Sequence, residues 1–386
     1  MNIHIIYQNY LTRDGLSLSI GGIQTYITNL SQLFTGHGHN VFVYQQADVD
    51  FEKNYSNIVV IGRRYTGTNT KIYRYLYACA KERIHPNDLL IFGDDCYIVT
   101  NKCCKSISLQ HGIFWDKPQR MGCSKPVFLM DFVLKSYRAW KLVNRIKKVN
   151  QLICVDYNFV NWYRALVAYP QIKLKVIPNF SQIPLTASDK HRTKEVRIIF
   201  ARRFFDYRGT RVFSSAISKI LEEYENITVT VAGEGPDENY LHNELDKFDK
   251  VEFIKYKNSE SLRVHEDKHI ALVPTLGSEG TSLSLLEAMA SKCAVVCTDV
   301  GGMTNVVLND YNGKMIRAGD SDSLYAAIKY LIENPTEREE IALTGYETVK
   351  KAFSYEHWAE QWLKVIEDIS NGNESATVSG NVNKNT

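Results

Sequence analysis

No apolar run in these 386 residues approaches the 18 or more residues of a membrane-crossing helix. The start, MNIHIIYQNY, lacks a basic stretch followed by a long apolar one. A cytoplasmic protein is the expectation from both absences. None of the eight cysteines, at 79, 96, 103, 104, 123, 154, 293 and 297, forms a C-x-x-C pair, and several sit in apolar runs. They read as buried reduced thiols, which excludes a disulfide frame and a zinc site. Helix-turn-helix, zinc-finger and RNP-like patterns are missing as well, so nucleic acid is not an expected partner. VAGEGP offers Gly233 and Gly235, but the third glycine of G-x-G-x-x-G would fall on Glu238, and Pro236 interrupts the loop. A dinucleotide fingerprint is therefore rejected.

What is present is enough apolar material, 44% of residues, for a large core in two domains. The net charge of +3 conceals an asymmetry: residues 1–180 carry 22 Lys+Arg against 11 Asp+Glu, whereas 181–386 carry 24 against 32. The basic first part points to an anionic partner. Short β-rich runs alternate with amphipathic helical patterns in both parts. Strands are predicted at 3–7, 40–45, 58–62, 88–92, 106–110, 152–155 and 175–177, with helices near 23–36, 70–83, 126–148 and 157–167. A second array has strands at 196–201, 228–232, 251–254, 270–274, 294–297 and 314–316, and helices near 209–224, 237–247, 259–266, 281–291 and 322–333. The expected class is α/β, two doubly wound Rossmann-like domains. Polar residues 181–194 form the expected linker, helical patterns follow at 336–350 and 355–369, and the Asn/Ser/Gly/Thr-rich tail 371–386 is expected to be disordered.

In such sheets ligands sit at the carboxyl ends of the strands. Gly21-Gly22 precedes a helix, a place where backbone amides can meet an anion, although a tight turn explains the pair equally well. His111-Gly112 follows a strand; judged alone, the histidine fits a hydrogen-bonding core residue as well as a catalytic one. Arg203 and Arg208 bracket a loop before a helix, and guanidinium groups bind phosphate through paired, charge-assisted hydrogen bonds, although an isolated Arg pair is more often a solvated basic loop. SEGTSLSLLEAMA places Glu279 and Glu287 eight positions apart, expected to lie on one face of one helix about 12 Å apart. Because the rest of that helix is apolar almost all round, both carboxylates should be buried and partnered.

These features together, GGIQTYITNLSQLFTGHGHNVFVY, SLQHG, VIPNF, RRFFDYRG, VAGEGP, SEGTSLSLLEAMA, the GG of DVGG and YNGKMI, resemble the retaining GT-B glycosyltransferases of family four, the glycosyl transferases group 1. The resemblance spans roughly residues 1–370. It implies an acceptor-side domain at 1–180, a nucleotide-sugar domain at 195–353, and a helix at 354–370 that crosses back to the first domain.

By the same resemblance, Arg203 and Arg208 would neutralise the donor diphosphate, and Gly21 and Gly22 would line it. Glu287 would hold the ribose, Glu279 the transferred sugar, and backbone amides of Gly280, Thr281, Ser282 and Leu283 the sugar or phosphate oxygens. His111 would lie near the reacting carbon. Two cations and a helix dipole would stabilise the leaving diphosphate, so no metal and no cofactor beyond the donor substrate is implied. The implied reaction moves a sugar from a nucleotide diphosphate sugar to a hydroxyl of a glycan or lipid-linked acceptor, in bacterial surface polysaccharide assembly such as O-antigen, capsule or lipopolysaccharide. An epimerase or phosphorylase on the same fold, or a non-catalytic glycan- or nucleotide-binding relative, are the rival readings. Departures from the pattern are Arg208 for the usual Lys, Arg202 for Gly, Asn305 for Glu and Lys255 for Gly. Finally, residues 127–148 place Lys135, Arg138, Lys141, Arg145 and Lys148 beside Phe132, Val133, Tyr137, Trp140 and Val143 at helical spacing. That helix fits either a sheet-covering element with a basic outer face or an anionic membrane surface at the inner face of the cell membrane.

Overall fold

The computed structural model describes residues 1–371 except 20, 69–70, 117–124, 168–172, 185–189, 191–194 and 258–259. Cys123, most of the 181–194 linker and the tail beyond 371 lie outside the described residues.

The first sheet contains β1 (Asn2–Ile6), β2 (Asn40–Ala47), β3 (Phe51–Tyr55), β4 (Ile58–Arg64), β5 (Leu89–Phe92), β6 (Lys105–Gln110), β7 (Gln151–Cys154) and β8 (Lys173–Val176). Their order is β3-β4-β2-β1-β5-β6-β7-β8, parallel apart from β3. β3 was not expected; its FEKNY alternates exposed and half-buried residues at the sheet edge, too polar to signal a strand. The helices are α1 (Gly22–Gly36), α2 (Ile72–Lys81), α3 (Lys125–Ile146) and α4 (Tyr157–Leu166).

The second sheet holds β9 (Val196–Ala201), β10 (Ile227–Ala232), β11 (Val251–Ile254), β12 (Ile270–Val273), β13 (Ala294–Thr298) and β14 (Lys314–Ile316) in the parallel order β11-β10-β9-β12-β13-β14. Its strands read as near-continuous apolar runs such as IALV and AVVCT, because helices cover both faces. Those helices are α5 (Thr210–Glu223), α6 (Glu238–Leu245), α7 (Leu283–Ala290), α8 (Ser321–Glu333) and α9 (Pro335–Ala352). The helix expected at 259–266 is only a 3-10 turn at Arg263–His265 among the described residues.

The last helix, α10 (Tyr355–Ser370), leaves the second domain and buries Trp358, Trp362, Val365 and Ile366 in the first domain's core. Ser354 caps it by accepting from the His357 amide. Trp362 donates its indole N–H to the Tyr26 hydroxyl of α1 over 2.9 Å, which satisfies both buried polar groups. A second tie lies in the connecting segment, where the buried Lys190 ammonium donates to the carbonyls of Lys268 and Ser291 at 2.6 Å each. The polar composition of 181–194 gave no hint of that anchor.

In both sheets the order of connections reverses beside the first strand of the domain, at β1/β5 and at β9/β12. These switch points are where a crevice opens at the carboxyl ends of the strands. Each domain thus offers its crevice to the other.

Candidate active site

β9 ends at Ala201 and runs straight into Arg202, Arg203 and Phe204. Arg202 is buried and its amide donates to the Ala232 carbonyl, while Gly233 lets β10 pass against the Arg202 carbonyl, where a Cβ would collide. A 3-10 turn at Asp206–Arg208 ends in Gly209 with φ of 84°, a left-handed conformation that favours glycine. Any Cβ there would strike the Pro274 carbonyl, so Gly209 lets the Arg208 turn lie on the end of β12.

The loop after β12 carries Glu279. It is not helical: α7 starts at Leu283 with Ser282 as its N-cap residue. The expectation of two glutamates on one helix face is therefore corrected, since only Glu287 lies on α7. Sequence spacing suggested a helix because the apolar run is continuous, but Ser278 with φ of 58° and the close packing of Gly280 hold the chain in a loop. Gly302 donates its amide to the Glu279 carbonyl at 3.2 Å, and a Cβ on Gly301 would collide with that same carbonyl. The glycine pair after β13 thus seats the Glu279 loop.

Three donors converge on one carboxylate oxygen, Oε2 of Glu279: Arg202 Nη2 at 2.6 Å, Arg208 Nη1, and Thr275 Oγ1 at 3.1 Å. Oε1 has no protein donor among the described residues. Burial works to raise the Glu279 carboxyl, but the charges of Arg208 and Arg202 outweigh it and hold it below the ordinary glutamate value. Burial pulls the Arg202 guanidinium down, yet its ordinary value is so high that it stays charged. On α7, Glu287 accepts from Ser261 Oγ at 2.7 Å with Oε1, and burial raises its carboxyl despite that bond and the nearby Arg202 charge. Arg203 does not join this cluster. It is exposed, its guanidinium 4.9 Å from the Phe205 ring, and it lies close enough to act on the buried Tyr7 phenol of the first domain.

The first domain supplies the opposite wall. His111, at the end of β6, donates from Nε2 to the Gly93 carbonyl at 3.1 Å, which leaves Nδ1 as an acceptor. Burial pulls its ring below the ordinary value despite the Asp94 charge, so it is neutral at pH 7. Gly112, with φ of 112°, meets Gly280 so closely that a Cβ would lie 3.0 Å from the Gly280 amide nitrogen. The Thr281 hydroxyl donates to the Val155 carbonyl, and Asn179 Nδ2 donates to the Thr281 carbonyl at 2.5 Å. Asn305 accepts from the Tyr157 amide at 3.0 Å, which makes it a domain-to-domain contact. Gly22 opens α1 directly opposite Leu283, which opens α7; a Cβ on Gly22 would lie 3.4 Å from the Leu283 Cδ1. Gly21 precedes it with extended backbone. Two helix N-termini, neither with an acidic first turn, therefore point into one crevice with Arg208.

The structure thus brings together His111, Gly22, Gly280, Thr281, Ser282, Leu283, Glu279 and Arg208, and leaves Arg203 on the crevice rim. Sequence reading noted Arg202 only as a departure and did not see Thr275, Ser261 or Asn179. The signal for Arg202 was available, since a charged residue at the end of an otherwise apolar strand needs a counter-charge. Lys255 is ion-paired to Glu238 at 2.7 Å on the surface. Among the described residues no group of three or more His, Cys, Asp or Glu is arranged to hold a metal ion.

Two doubly wound domains closing on a shared crevice, with α10 returning to the first, define the GT-B fold; an Anabaena HepE structure in complex with UDP and glucose matches with a TM-score of 0.72 at 15% identity, covering 95% of this chain and 99% of that one. Residues 184–348 match the model of the glycosyl transferases group 1. Among curated relatives, an uncharacterized glycosyltransferase of Methanocaldococcus jannaschii is 24% identical over 259 residues, 63% of either chain. The phosphatidylinositol N-acetylglucosaminyltransferase gpi3 subunit of Schizosaccharomyces pombe is 27% identical over 380 residues, 92% of this chain and 79% of that one. The first of these matches spans less than two thirds of the relative's own length.

Proposed function

We propose that this protein is a retaining glycosyltransferase that moves a sugar from a nucleotide diphosphate sugar to a hydroxyl of a lipid-linked or glycan acceptor. The observation that carries this reading is the polarity of Glu279. Its Oε2 is saturated by three donors while Oε1 is left for a ligand hydroxyl, in a crevice where two helix N-termini and Arg208 supply positive charge.

In this reading Glu279 Oε1 accepts from the transferred sugar, and Glu287 Oε2 accepts from a ribose hydroxyl while Ser261 holds Oε1. Arg208, the amides at 280–283 and, from the rim, Arg203 stabilise the diphosphate as it leaves. The C–O bond to the leaving phosphate breaks, the acceptor oxygen bonds the same face of the sugar carbon, and the acceptor proton passes to a phosphate oxygen. Positive charge is supplied by guanidinium groups and helix ends, so the step as proposed uses no divalent metal. His111, neutral with Nδ1 free to accept, lies beside the sugar.

A lipid-linked acceptor is favoured by two facts. A relative covering 92% of this chain is named for phosphatidylinositol, and α3 exposes a row of large apolar residues, described below. Its setting would be glycan assembly at the inner face of a membrane, bacterial surface polysaccharide included. No helix among the described residues is long and apolar enough to cross one.

A thermal-shift screen with UDP-, GDP-, ADP- and dTDP-sugars finds the donor, because a ligand that binds only the folded state raises Tm. Transfer to a lipid extract with that donor then tests the activity. Altered free sugar without acceptor would point to an epimerase, and a requirement for inorganic phosphate to a phosphorylase; either sinks the proposal.

A further inference from the structure

α3 differs from every other long helix of the molecule. From Val127 to Lys141 no described side chain is fully buried, and the helix meets the core through its last two turns, where Leu142 and Ile146 are buried and Ala139 and Val143 pack beside them. Leu129, Met130, Phe132, Val133 and Trp140 are each more than half exposed. The sheet-covering role weighed from the sequence thus falls to the last turns alone. An exposed apolar patch of this size marks an interaction surface.

At the root of this projecting stretch lies a surface cavity of about 560 Å³, enclosed by α2, residues 98–100 and the end of α3. Four cations line it, Arg74, Lys141, Arg145 and Lys148, and no carboxylate does. Among the described residues none of the four is in an ion pair. Arg145 lies near the buried Asp95, whose carboxyl is held well above the ordinary range by burial and the neighbouring Asp94. Tyr73, Tyr77 and Trp140 complete the wall, and the Arg145 guanidinium sits 5.7 Å from the Tyr73 ring. Four cations without an ion-pair partner among the described residues, set around a hollow of this size, are complementary to a phosphate group. Trp140 belongs both to the cavity and to the exposed apolar row, and Phe132 lies about 12 Å further along the helix axis. Aromatic residues with a polar edge favour the level of lipid headgroups.

We propose that this cavity receives the phosphate headgroup of an anionic membrane lipid while the exposed apolar residues of α3 enter the same leaflet. The inference rests on the reading of a membrane-borne acceptor, and it adds a headgroup site outside the crevice. It would hold the first domain against the bilayer independently of donor binding.

Sedimentation with vesicles of phosphatidylglycerol in phosphatidylcholine, against phosphatidylcholine alone, tests it. Wild type should bind the anionic vesicles and not the neutral ones. Arg74→Gln with Lys148→Gln should lose roughly tenfold or more in partition, at about 1 kcal/mol per cation near the surface. Lys81→Gln with Lys102→Gln removes the same charge from exposed sites outside the cavity and should lose clearly less. Equal losses in the two pairs would reduce the effect to diffuse charge and overturn the headgroup site. Unchanged binding by the cavity pair would overturn it too, with membrane binding left standing. No binding by wild type sinks both the site and the membrane reading. Sugar release from the donor, measured without vesicles, reports separately on the transferase reading, and matching Tm values establish that the variants fold.

Discussion

Arg202 Nη2 and Glu279 Oε2 are 2.6 Å apart, and both side chains are buried where the β9 and β12 crevice opens. Arg208 and Thr275 donate to the same oxygen, so the carboxylate is a hub and Arg202 one of its spokes. Removing the hub strands two cations, whereas removing one spoke leaves the carboxylate with two donors. Glu279→Ala should therefore destabilise by about 3–5 kcal/mol and Arg202→Gly by less, about 1–3 kcal/mol. Urea unfolding of both variants checks the ranking, and an Arg202→Gly loss equal to or above that of Glu279→Ala would show the hub picture to be wrong.

Activity should divide differently between the two glutamates. On the proposed reading Glu287 would grip a part of the donor that does not change in the reaction, so Glu287→Ala should raise donor KM about tenfold or more with kcat nearly kept. On the same reading Glu279 would face the sugar whose charge changes, so Glu279→Gln, which keeps shape but weakens the hub, should lower kcat by roughly 10². Steady-state kinetics with varied donor separates the two; a pure KM effect at Glu279 would remove it from the reacting sugar.

The two-domain alternation of strands and helices was legible because buried parallel strands such as IALV are continuous apolar runs, and turns between them are polar. The residues of the crevice were legible as types at strand ends. Their pairing was not: Arg202 and Glu279 are 77 positions apart, and Glu279 was placed on a helix because Leu283–Ala290 reads as apolar from its first residue. Arg203 and Arg208 formed one phosphate clamp in the expectation that the family resemblance implied. The 3-10 turn between them sends Arg208 inward to Glu279 and leaves Arg203 over Phe205 on the rim. β3 escaped notice because an edge strand can be polar on both faces.

Domain closure depends on glycines that let backbones touch. Gly301 has φ of 56° and no room for a Cβ against the Glu279 carbonyl, so Gly301→Ala must push the Glu279 loop outward. Because Oε2 is tethered to the second domain, the displacement would fall on Oε1 and on the contacts of Gly280 with the first domain. We expect kcat/KM to fall by roughly 10² from a misplacement of this kind, with Tm lowered by only a few degrees. Wild-type kcat/KM in a folded Gly301→Ala would sink the role assigned to the glycine pair.

Asp156 gives the clearest pH signature. It caps α4 by accepting from the Phe159 amide at 2.9 Å through Oδ1, while Oδ2 is buried beside Gly280 without a protein partner. Burial pushes its carboxyl up to about 6 from an ordinary 3.8, against the pull of two helix-start amides. A carboxyl raised on folding contributes stability that is present below its ordinary value and is lost as pH rises through about 6. Asparagine caps a helix as well as aspartate and carries no charge. Asp156→Asn should therefore match wild type near pH 4 and exceed it progressively up to pH 7, by on the order of 3 kcal/mol. Urea unfolding of both proteins across that range measures the difference, in which shifts at Glu279 and Glu287 cancel. A gap that stays constant with pH would mean that Asp156 ionises in the folded protein as it does in the unfolded chain, with a water or a bound group satisfying Oδ2.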